Sequence, residues 1–84
     1  MKTLKENQVE KIQNFLKNNF DPTPHQNHIG SNSSVKYHEE LIVNGDCHKN
    51  CFAIWAGGMS PIRIEHKYTD MINYLKKVIE QDHI

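Results

Sequence analysis

The sequence is short of arginine, and it has no excess of charge of either sign. Among its 84 residues ten are basic and ten are acidic, so the net charge is zero, and Arg63 is the only arginine. A chain without net charge has no global field to attract nucleic acid or an anionic membrane. One guanidinium also offers few of the bidentate contacts that phosphate and guanine recognition favour. The composition therefore points away from a nucleic-acid-binding or membrane-surface protein.

Long apolar runs and cysteines are also scarce. No stretch approaches the roughly 20 apolar residues of a membrane helix, and the N-terminal stretch MKTLKENQVEK lacks the apolar segment of a signal peptide. We therefore expect a cytoplasmic protein. In that reducing compartment the two cysteines are expected to be thiols or metal ligands rather than a disulfide. A chain of 84 residues has room for a single domain with a modest core.

The first predicted helix covers about residues 3–19. Thr3 and Glu6 have the spacing of a capping box, in which the two side chains satisfy free amides at the start of a helix. Apolar residues then recur at close to helical spacing: Leu4, Val9, Ile12, Phe15, Leu16 and Phe20. Pro22 and Pro24 cannot continue a helix, so we expect it to end before them.

A second helix is predicted at the end of the chain, over about residues 69–81. Thr69 is the predicted N-cap, and Asp70 suits the first turn. The predicted buried stripe consists of Met71, Ile72, Leu75, Val78 and Ile79. This stripe indicates a helix that packs one face against the rest of the domain.

A loop is predicted between the first helix and the strands, over residues 21–34. Its sequence, DPTPHQNHIGSNSS, consists almost entirely of turn-forming residues, and only Ile29 offers an apolar side chain to a core. Such a length is unusual for a connection in a small domain. It indicates either a functional loop or a solvated one.

Three strands are predicted, over about residues 35–43, 50–56 and 62–66. Apolar and polar residues alternate in the first strand with the period of two that a half-buried strand requires. Asn44-Gly45 favours a tight type I′ hairpin turn. With that turn the facing pairs are Glu40 with Lys49, Tyr37 with Phe52 and Val35 with Ile54. The same register puts Asp46, His48 and Asn50 on the otherwise apolar face, so a wider loop over residues 44–50 is the alternative.

These elements predict an α+β fold with the order helix-strand-strand-strand-helix. We expect a three-stranded antiparallel sheet with both helices on one face. The covered face would carry Val35, Tyr37, Leu41, Val43, Phe52, Ile54, Ile62 and Ile64. In the order of its elements, and in that alone, the chain resembles double-stranded-RNA-binding domains and the small RNA-cleaving toxins built on that fold, and fold order does not carry function across.

The face left uncovered has residue types that occur in protein interfaces. Trp and Arg are among the residues that anchor such interfaces, and Trp55 beside Ile42 would leave a large apolar group in water unless a partner covers it. The predicted binding residues are Lys36, His38, Glu40, Ile42, Lys49, Trp55 and Arg63. A slip of one residue in strand register would instead bury Trp55. Core and interface are therefore the two interpretations of this residue.

A group of cysteines and histidines is the second candidate site. Two of each complete a tetrahedral zinc site, and the candidate ligands are His25, His28, Cys47 and Cys51. In the tight register Cys47 and Cys51 lie roughly 13 Å apart on one strand, which is too far to share a metal or to form a disulfide. Only the wider loop brings them together, and otherwise they are free thiols.

Histidine-based catalysis is the third interpretation. Histidine titrates near neutrality, so it suits acid and base roles in ribonuclease-like chemistry. The residues available for such roles and for phosphate contacts are His28, Ser31 to Ser34, His38, His48 and His66. No spacing matches a nucleophile elbow, a phosphate loop or a pair of catalytic carboxylates.

The sequence as a whole favours a small non-enzymatic binding protein that acts by protein-protein contact through the uncovered face. Its partner would be another protein or a second copy in a homodimer, and no cofactor is expected unless zinc binds the cysteine and histidine group. Inhibitors and accessory proteins of mobile elements have this size and this lack of motifs. The alternative is a nucleic-acid-directed module such as a histidine-dependent ribonuclease.

Overall fold

The computed structural model describes residues 2–23 and 28–81 and has the predicted order of elements. Along the chain, one helix precedes and one helix follows a three-stranded antiparallel sheet of order β1-β2-β3. The elements are α1 (Leu4–Asn19), β1 (Ser34–Val43), β2 (Asp46–Trp55), β3 (Arg63–Glu65) and α2 (Tyr68–Gln81). The predicted α+β fold is therefore confirmed.

Helix α1 begins and ends as its sequence predicts. The Thr3 hydroxyl accepts a hydrogen bond from the Glu6 backbone N–H at 3.1 Å and lies 3.2 Å from the Glu6 carboxylate, to which it donates. At the other end, the Phe20 N–H donates to the Leu16 carbonyl at 3.0 Å, and Phe20 itself is extended. Pro22 follows two residues later and prevents another turn.

Helix α2 begins at Tyr68, one residue earlier than predicted. The Met71 N–H donates to the Lys67 carbonyl at 3.1 Å, which places Thr69 inside the first turn. The prediction that Thr69 is the N-cap is therefore wrong. Among the described residues, neither helix combines the length and the apolar character that crossing a bilayer would require.

Strands β1 and β2 form the hairpin with the tight two-residue turn. Asn44 and Gly45 both have positive φ, at 52° and 86°, as a type I′ turn requires. Val43 faces Asp46, and the register continues without a shift to Ser34 opposite Trp55. The predicted pairs are all present, and the wider loop over residues 44–50 is not formed. Strand β2 consequently starts four residues before the predicted position.

The hairpin has two halves that differ in their surroundings. The proximal half, residues 34–38 and 51–55, packs under the helices, whereas the distal half, residues 40–49, extends beyond them. The halves meet at Asn50, whose φ of 52° is unusual for a strand residue and whose side chain accepts from the Tyr37 hydroxyl at 3.2 Å. Asp46 and Asn50 are exposed, and His48 is half-buried. These three polar residues, which favoured the wider loop in the sequence analysis, therefore lie outside the core in the tight register.

Strand β3 presents its side chains to the faces opposite to those predicted. Arg63 pairs with Ile54 and Glu65 with Phe52, whereas Ile64 pairs with Ala53. Directly paired residues point to the same side of a sheet, so Arg63 and Glu65 lie on the helix side. The Arg63 guanidinium stacks 4.0 Å from the centre of the Tyr74 ring in α2. The expectation that Ile64 is covered and Arg63 uncovered is therefore wrong.

The hydrophobic core lies between the helices and the proximal half of the hairpin. Its buried members come from both helices and from one face of the sheet: Ile12, Leu16, Val35, Phe52, Ile54, Met71 and Leu75. Burial of each such side chain contributes roughly 1.5–3 kcal/mol. Because one cluster joins α1, α2 and the sheet, both helices cover the same face, as predicted.

The described part of the loop is packed against α1 rather than simply solvated. The Gln13 side chain donates to the Ser33 carbonyl at 2.7 Å and accepts from the Val35 N–H at 3.1 Å. The Ser33 hydroxyl accepts from the Gly30 N–H at 3.0 Å, and Ser33 is buried. A Cβ on Gly30 would lie only 2.8 Å from the Asp21 carbonyl oxygen. The two ends of the loop are therefore in close contact with each other.

Candidate protein-binding face

The sheet face turned away from both helices carries most of the predicted binding residues. Register places alternate residues of the three strands on it, and we call this surface the open face. Its members are Lys36, His38, Glu40, Ile42, Cys47, Lys49, Cys51, Ala53, Trp55 and Ile64. Arg63 is the one predicted binding residue outside it, and there it forms an ion pair with Glu65.

Two aromatic rings cover the proximal part of the open face. His38 and Trp55 flank the Lys36–Ala53 pair, and their ring centres lie 6.0 Å apart in an edge-to-face arrangement. The rings therefore meet above that pair. Ala53 and Cys51 are fully buried although neither α1 nor α2 covers this face. Trp55 is half-buried on the open face, so the alternative that placed it in the helix-covered core is wrong.

Both rings hold a nitrogen that has no hydrogen-bond partner among the described residues. These atoms are His38 Nε2 and Trp55 Nε1, and both are buried. Indole nitrogen is a donor only, and a buried polar group without a partner costs about 1–3 kcal/mol. Because both atoms are buried, an acceptor on a partner could reach the indole N–H only after the ring turns outward.

Burial also affects Cys51, the cysteine of the open face that pairs with His38. Cys51 lies directly opposite His38 and has no exposed surface. This burial raises the pKa of the Cys51 thiol above its ordinary value of 9.0. A thiolate is the reactive form of cysteine, so Cys51 is held in its unreactive form.

The distal part of the open face is exposed and mixed in charge. Ile42 keeps 66% of its surface in water, which is high for a strand isoleucine. Glu40 faces Lys49 across the hairpin, and Cys47 faces Ile42. The distal part thus presents one apolar side chain beside charges of both signs.

The proposed zinc ligands are not brought together where the structure describes them. Cys47 and Cys51 are four residues apart on β2 and pair with different residues, and both are free thiols. Cys47 is exposed, Cys51 is buried, and His28 lies in the loop, while His25 is outside the described residues. Within residues 2–23 and 28–81, no group of three or more His, Cys, Asp or Glu side chains is placed to hold a metal ion.

The residues considered for ribonuclease chemistry are divided between separate places. His48 and His66 have ring centres 6.5 Å apart, and His66 Nδ1 lies 3.1 Å from the Lys49 carbonyl. His48 faces Leu41 on the helix side of the sheet, whereas His38 is on the open face. The Ser33 hydroxyl is occupied within the loop. Sequence reasoning missed the His48–His66 pair, because the contact depends on the backbone direction after β3 ends at Glu65.

A groove beside β1 was also missed. It has a volume of about 750 Å³ and runs between the first turns of α1 and the outer edge of β1. Its lining consists of Thr3, Lys5, Glu6, Val9, Val35, Lys36, Tyr37, His38, Glu39 and Asn50. The Lys5 ammonium lies 5.3 Å and 5.4 Å from the ring centres of Tyr37 and Phe52, within cation–π range. The groove therefore combines an apolar floor with charges of both signs.

Comparison with known proteins gave no relative from which a role could be transferred. No family model, curated protein or solved structure matches this chain.

Proposed function

We propose that this chain is a small non-enzymatic binding protein that acts by contact with another protein through the open face. The observation that carries the proposal is the His38–Trp55 ring pair, which is half-buried and contains two nitrogens without hydrogen-bond partners among the described residues. Half-buried Trp55 therefore offers apolar area to a partner, and its indole N–H becomes available if the ring turns outward. Tryptophan is also among the residue types that contribute most to binding energy at interfaces.

The distal part of the open face adds an apolar contact and a charged rim. Ile42 is exposed next to the Glu40–Lys49 pair, and Lys36 is exposed beside the rings. Interfaces commonly have an apolar centre and a polar rim. We therefore expect a partner that presents an apolar group to Ile42, an acceptor to Trp55 and charges of both signs around them.

Small single-domain inhibitors and accessory proteins of mobile elements share this size and this lack of catalytic motifs. That class supports the proposal only by analogy of size and composition. The net charge of zero favours a protein partner over nucleic acid, because phosphate binding depends on clustered positive charge.

One observation favours a second function, that of a histidine-dependent ribonuclease. His48 and His66 lie with their rings 6.5 Å apart, and paired histidines can serve as acid and base. RNA cleavage at low salt tests it, since phosphate contacts are strongest there. Cleavage that is lost in His48→Ala and His66→Ala variants would replace the binding proposal with this one.

The binding proposal is tested with a matched pair of surface substitutions. Ile42 and Leu4 are similar in size and exposure, at 66% and 69%, but Leu4 is on α1, away from the open face. Ile42→Lys should abolish capture of the partner from extract of the source cells, whereas Leu4→Lys should retain it. Binding is then measured with the purified partner by calorimetry, and circular dichroism checks that both variants fold.

Two results would overturn the proposal. One is equal binding of the purified partner by the Ile42→Lys variant and the unmodified chain. The other is loss of binding in Leu4→Lys alone, which would place the contact on the helix side.

A further inference from the structure

The two edges of the sheet differ greatly in length. Among the described residues, strand β1 has ten residues and pairs with β2 alone, whereas β3, at the other edge, has three residues. An unpaired edge presents free backbone donors and acceptors to any strand that approaches it. A long edge invites such pairing, and a three-residue edge offers little to it.

The outer side of β1 is accessible from Lys36 onward. Lys36, Glu39, Glu40 and Ile42 are exposed, and the groove of about 750 Å³ separates the first turns of α1 from residues 35–39. At the start of β1 the backbone is not free to pair with another strand, because the Val35 N–H already donates to the Gln13 side chain. A strand that adds to β1 would therefore pair from Lys36 toward the distal half.

The charges along β1 are arranged symmetrically about His38. Lys36 and Glu40 lie two residues to either side of it, and all three are on the open face. In an antiparallel pair of identical strands with a dyad at His38, each Lys36 faces the Glu40 of the other strand. Opposite charges at directly paired positions stabilise a sheet, and like charges destabilise it.

We propose that two copies of this chain associate through their β1 strands, antiparallel and with the dyad at His38. The three strands of each copy then form one continuous sheet. The contact is isologous, and the dyad that joins two identical antiparallel edges in one sheet is perpendicular to that sheet, so both pairs of helices lie on one side. Both open faces lie together on the other side, and the inference does not depend on the proposed function.

The groove supplies a second set of complementary contacts. On the helix side, the same register sets Tyr37 opposite Glu39 of the second copy. The Lys5 ammonium stands over the Tyr37 ring, so that carboxylate arrives beside a positive charge. Val35 faces Leu41 of the second copy, which adds an apolar pair at the end of the groove. Each of these contacts occurs twice in the dimer.

Neighbouring registers lack this complementarity. A dyad at Glu39 or at Glu40 sets that carboxylate directly against its own copy. A dyad at Tyr37 sets Lys36 opposite His38 and Ser34 opposite Glu40, so it forms no Lys–Glu pair. The dyad at His38 is therefore the register in which the charges of β1 favour association.

Charge reversal and restoration test the proposal. Sedimentation equilibrium of the unmodified chain at low salt, from roughly 10 μM to 1 mM, should show a dimer. Lys36→Glu sets like charges together twice and should raise the dissociation constant at least about tenfold. Adding Glu40→Lys together with Lys49→Glu to that variant restores opposite charges across the dyad, keeps them opposite at positions 40 and 49 within the hairpin, and should return the constant to within about threefold.

Lys49→Glu is the matched control for charge alone. Lys49 is on the same face but in the central strand, opposite Glu40, so its reversal should leave the dimer intact. Thermal melts of all variants show whether the hairpin has been damaged. A monomer at every concentration would overturn the proposal, as would a dimer that is insensitive to Lys36→Glu or equally sensitive to Lys49→Glu.

Cysteine crosslinking tests the register directly. In a Cys47→Ser background, Lys36→Cys with Glu40→Cys should yield a covalent dimer on oxidation, since the two positions face each other across the dyad. Within one chain they lie about 13 Å apart and cannot join. Lys36→Cys with Lys49→Cys should crosslink much less. Equal crosslinking of the two pairs would exclude the dyad at His38. Sedimentation and crosslinking both use the purified chain alone. Failure of the dimer proposal therefore leaves the proposed binding of another protein untouched, and the reverse also holds.

Discussion

The proximal and distal halves of the hairpin share one register but differ in almost every other respect. In the proximal half, the four residues from Cys51 to Ile54 have no exposed surface, because helices cover one face and two rings cover the other. In the distal half, Ile42 is 66% exposed. Pairing is the same in both halves, so burial rather than pairing separates them. Stability should therefore reside mainly in the proximal half, while the distal half is available for contacts.

The largest effect is expected from a core substitution in the proximal half. Phe52 is fully buried and packs edge-to-face on Tyr37 with ring centres 5.1 Å apart. Phe52→Ala should lower the free energy of unfolding by about 3–5 kcal/mol. Ile42→Ala in the distal half should change it by no more than about 0.5 kcal/mol. Urea denaturation measures both, and similar losses would abolish the distinction between the halves.

The second-largest effect on stability is expected at Gln13, whose side chain links α1 to the start of β1. Gln13→Ala removes the hydrogen bonds to the Ser33 carbonyl and the Val35 N–H, both partly buried. We expect a loss of about 1–3 kcal/mol in unfolding free energy. Asn14→Ala, at an exposed position of the same helix, is the control and should have little effect. Alanine is the best helix former, so helix propensity cannot cause a loss in either variant, and equal losses would mean that the two Gln13 hydrogen bonds contribute nothing specific.

The distal half should depend on its turn more than on its packing. A Cβ on Gly45 would meet nothing within 4 Å, but residues that carry a Cβ rarely adopt a φ of 86°. Gly45→Ala should therefore cost about 1–2 kcal/mol through the backbone alone. Asn44→Gly keeps access to positive φ and should be nearly neutral. A neutral Gly45→Ala would show that the turn changes its type without loss.

The smallest effect is a dependence of stability on alkaline pH. Burial raises the pKa of Cys51 above 9.0, so the folded chain keeps this proton at a pH where the unfolded chain releases it. Stability from this group is complete below about pH 9 and falls as the pH rises toward the higher folded value. Unfolding free energies at pH 8 and pH 10 should therefore differ more for the unmodified chain than for Cys51→Ala.

Thiol labelling provides the matching kinetic measurement. Exposed Cys47 should react with a thiol reagent at once, whereas buried Cys51 should react only after unfolding. Rapid labelling of Cys51 in the folded chain would show that the His38–Trp55 rings open readily.

The elements and the hairpin register followed from local sequence signals. The capping box at Thr3 and the Asn44-Gly45 turn each determine backbone geometry within a few residues, and both are present as predicted. The faces of β3 could not be predicted in this way. Ile62 and Ile64 alternate, but the Ile62 N–H donates to the Ile54 carbonyl at 2.8 Å, and this contact fixes the register that turns Ile64 to the open face. Such a contact is not visible in a three-residue pattern.

The open face was predictable as a set of positions, but its internal contacts were not. Strand alternation placed Lys36, His38 and Trp55 on one side of the sheet, as the structure shows. The approach of the His38 and Trp55 rings depends on side-chain rotamers that lean along the strands, and alternation says nothing about those. The groove beside β1 depends on the position of α1 relative to the sheet edge, which its own periodicity does not specify.

The two-residue turn at Asn44-Gly45 also bears on how quickly the chain can organise itself. Most contacts within the sheet join residues of one hairpin, and isolated hairpins form in about 1–10 μs. The two helices come from opposite ends of the chain and meet only on the proximal half of this hairpin. We expect the hairpin to form first and the helices to dock on it afterwards, so that the docking of the chain ends limits the rate of folding.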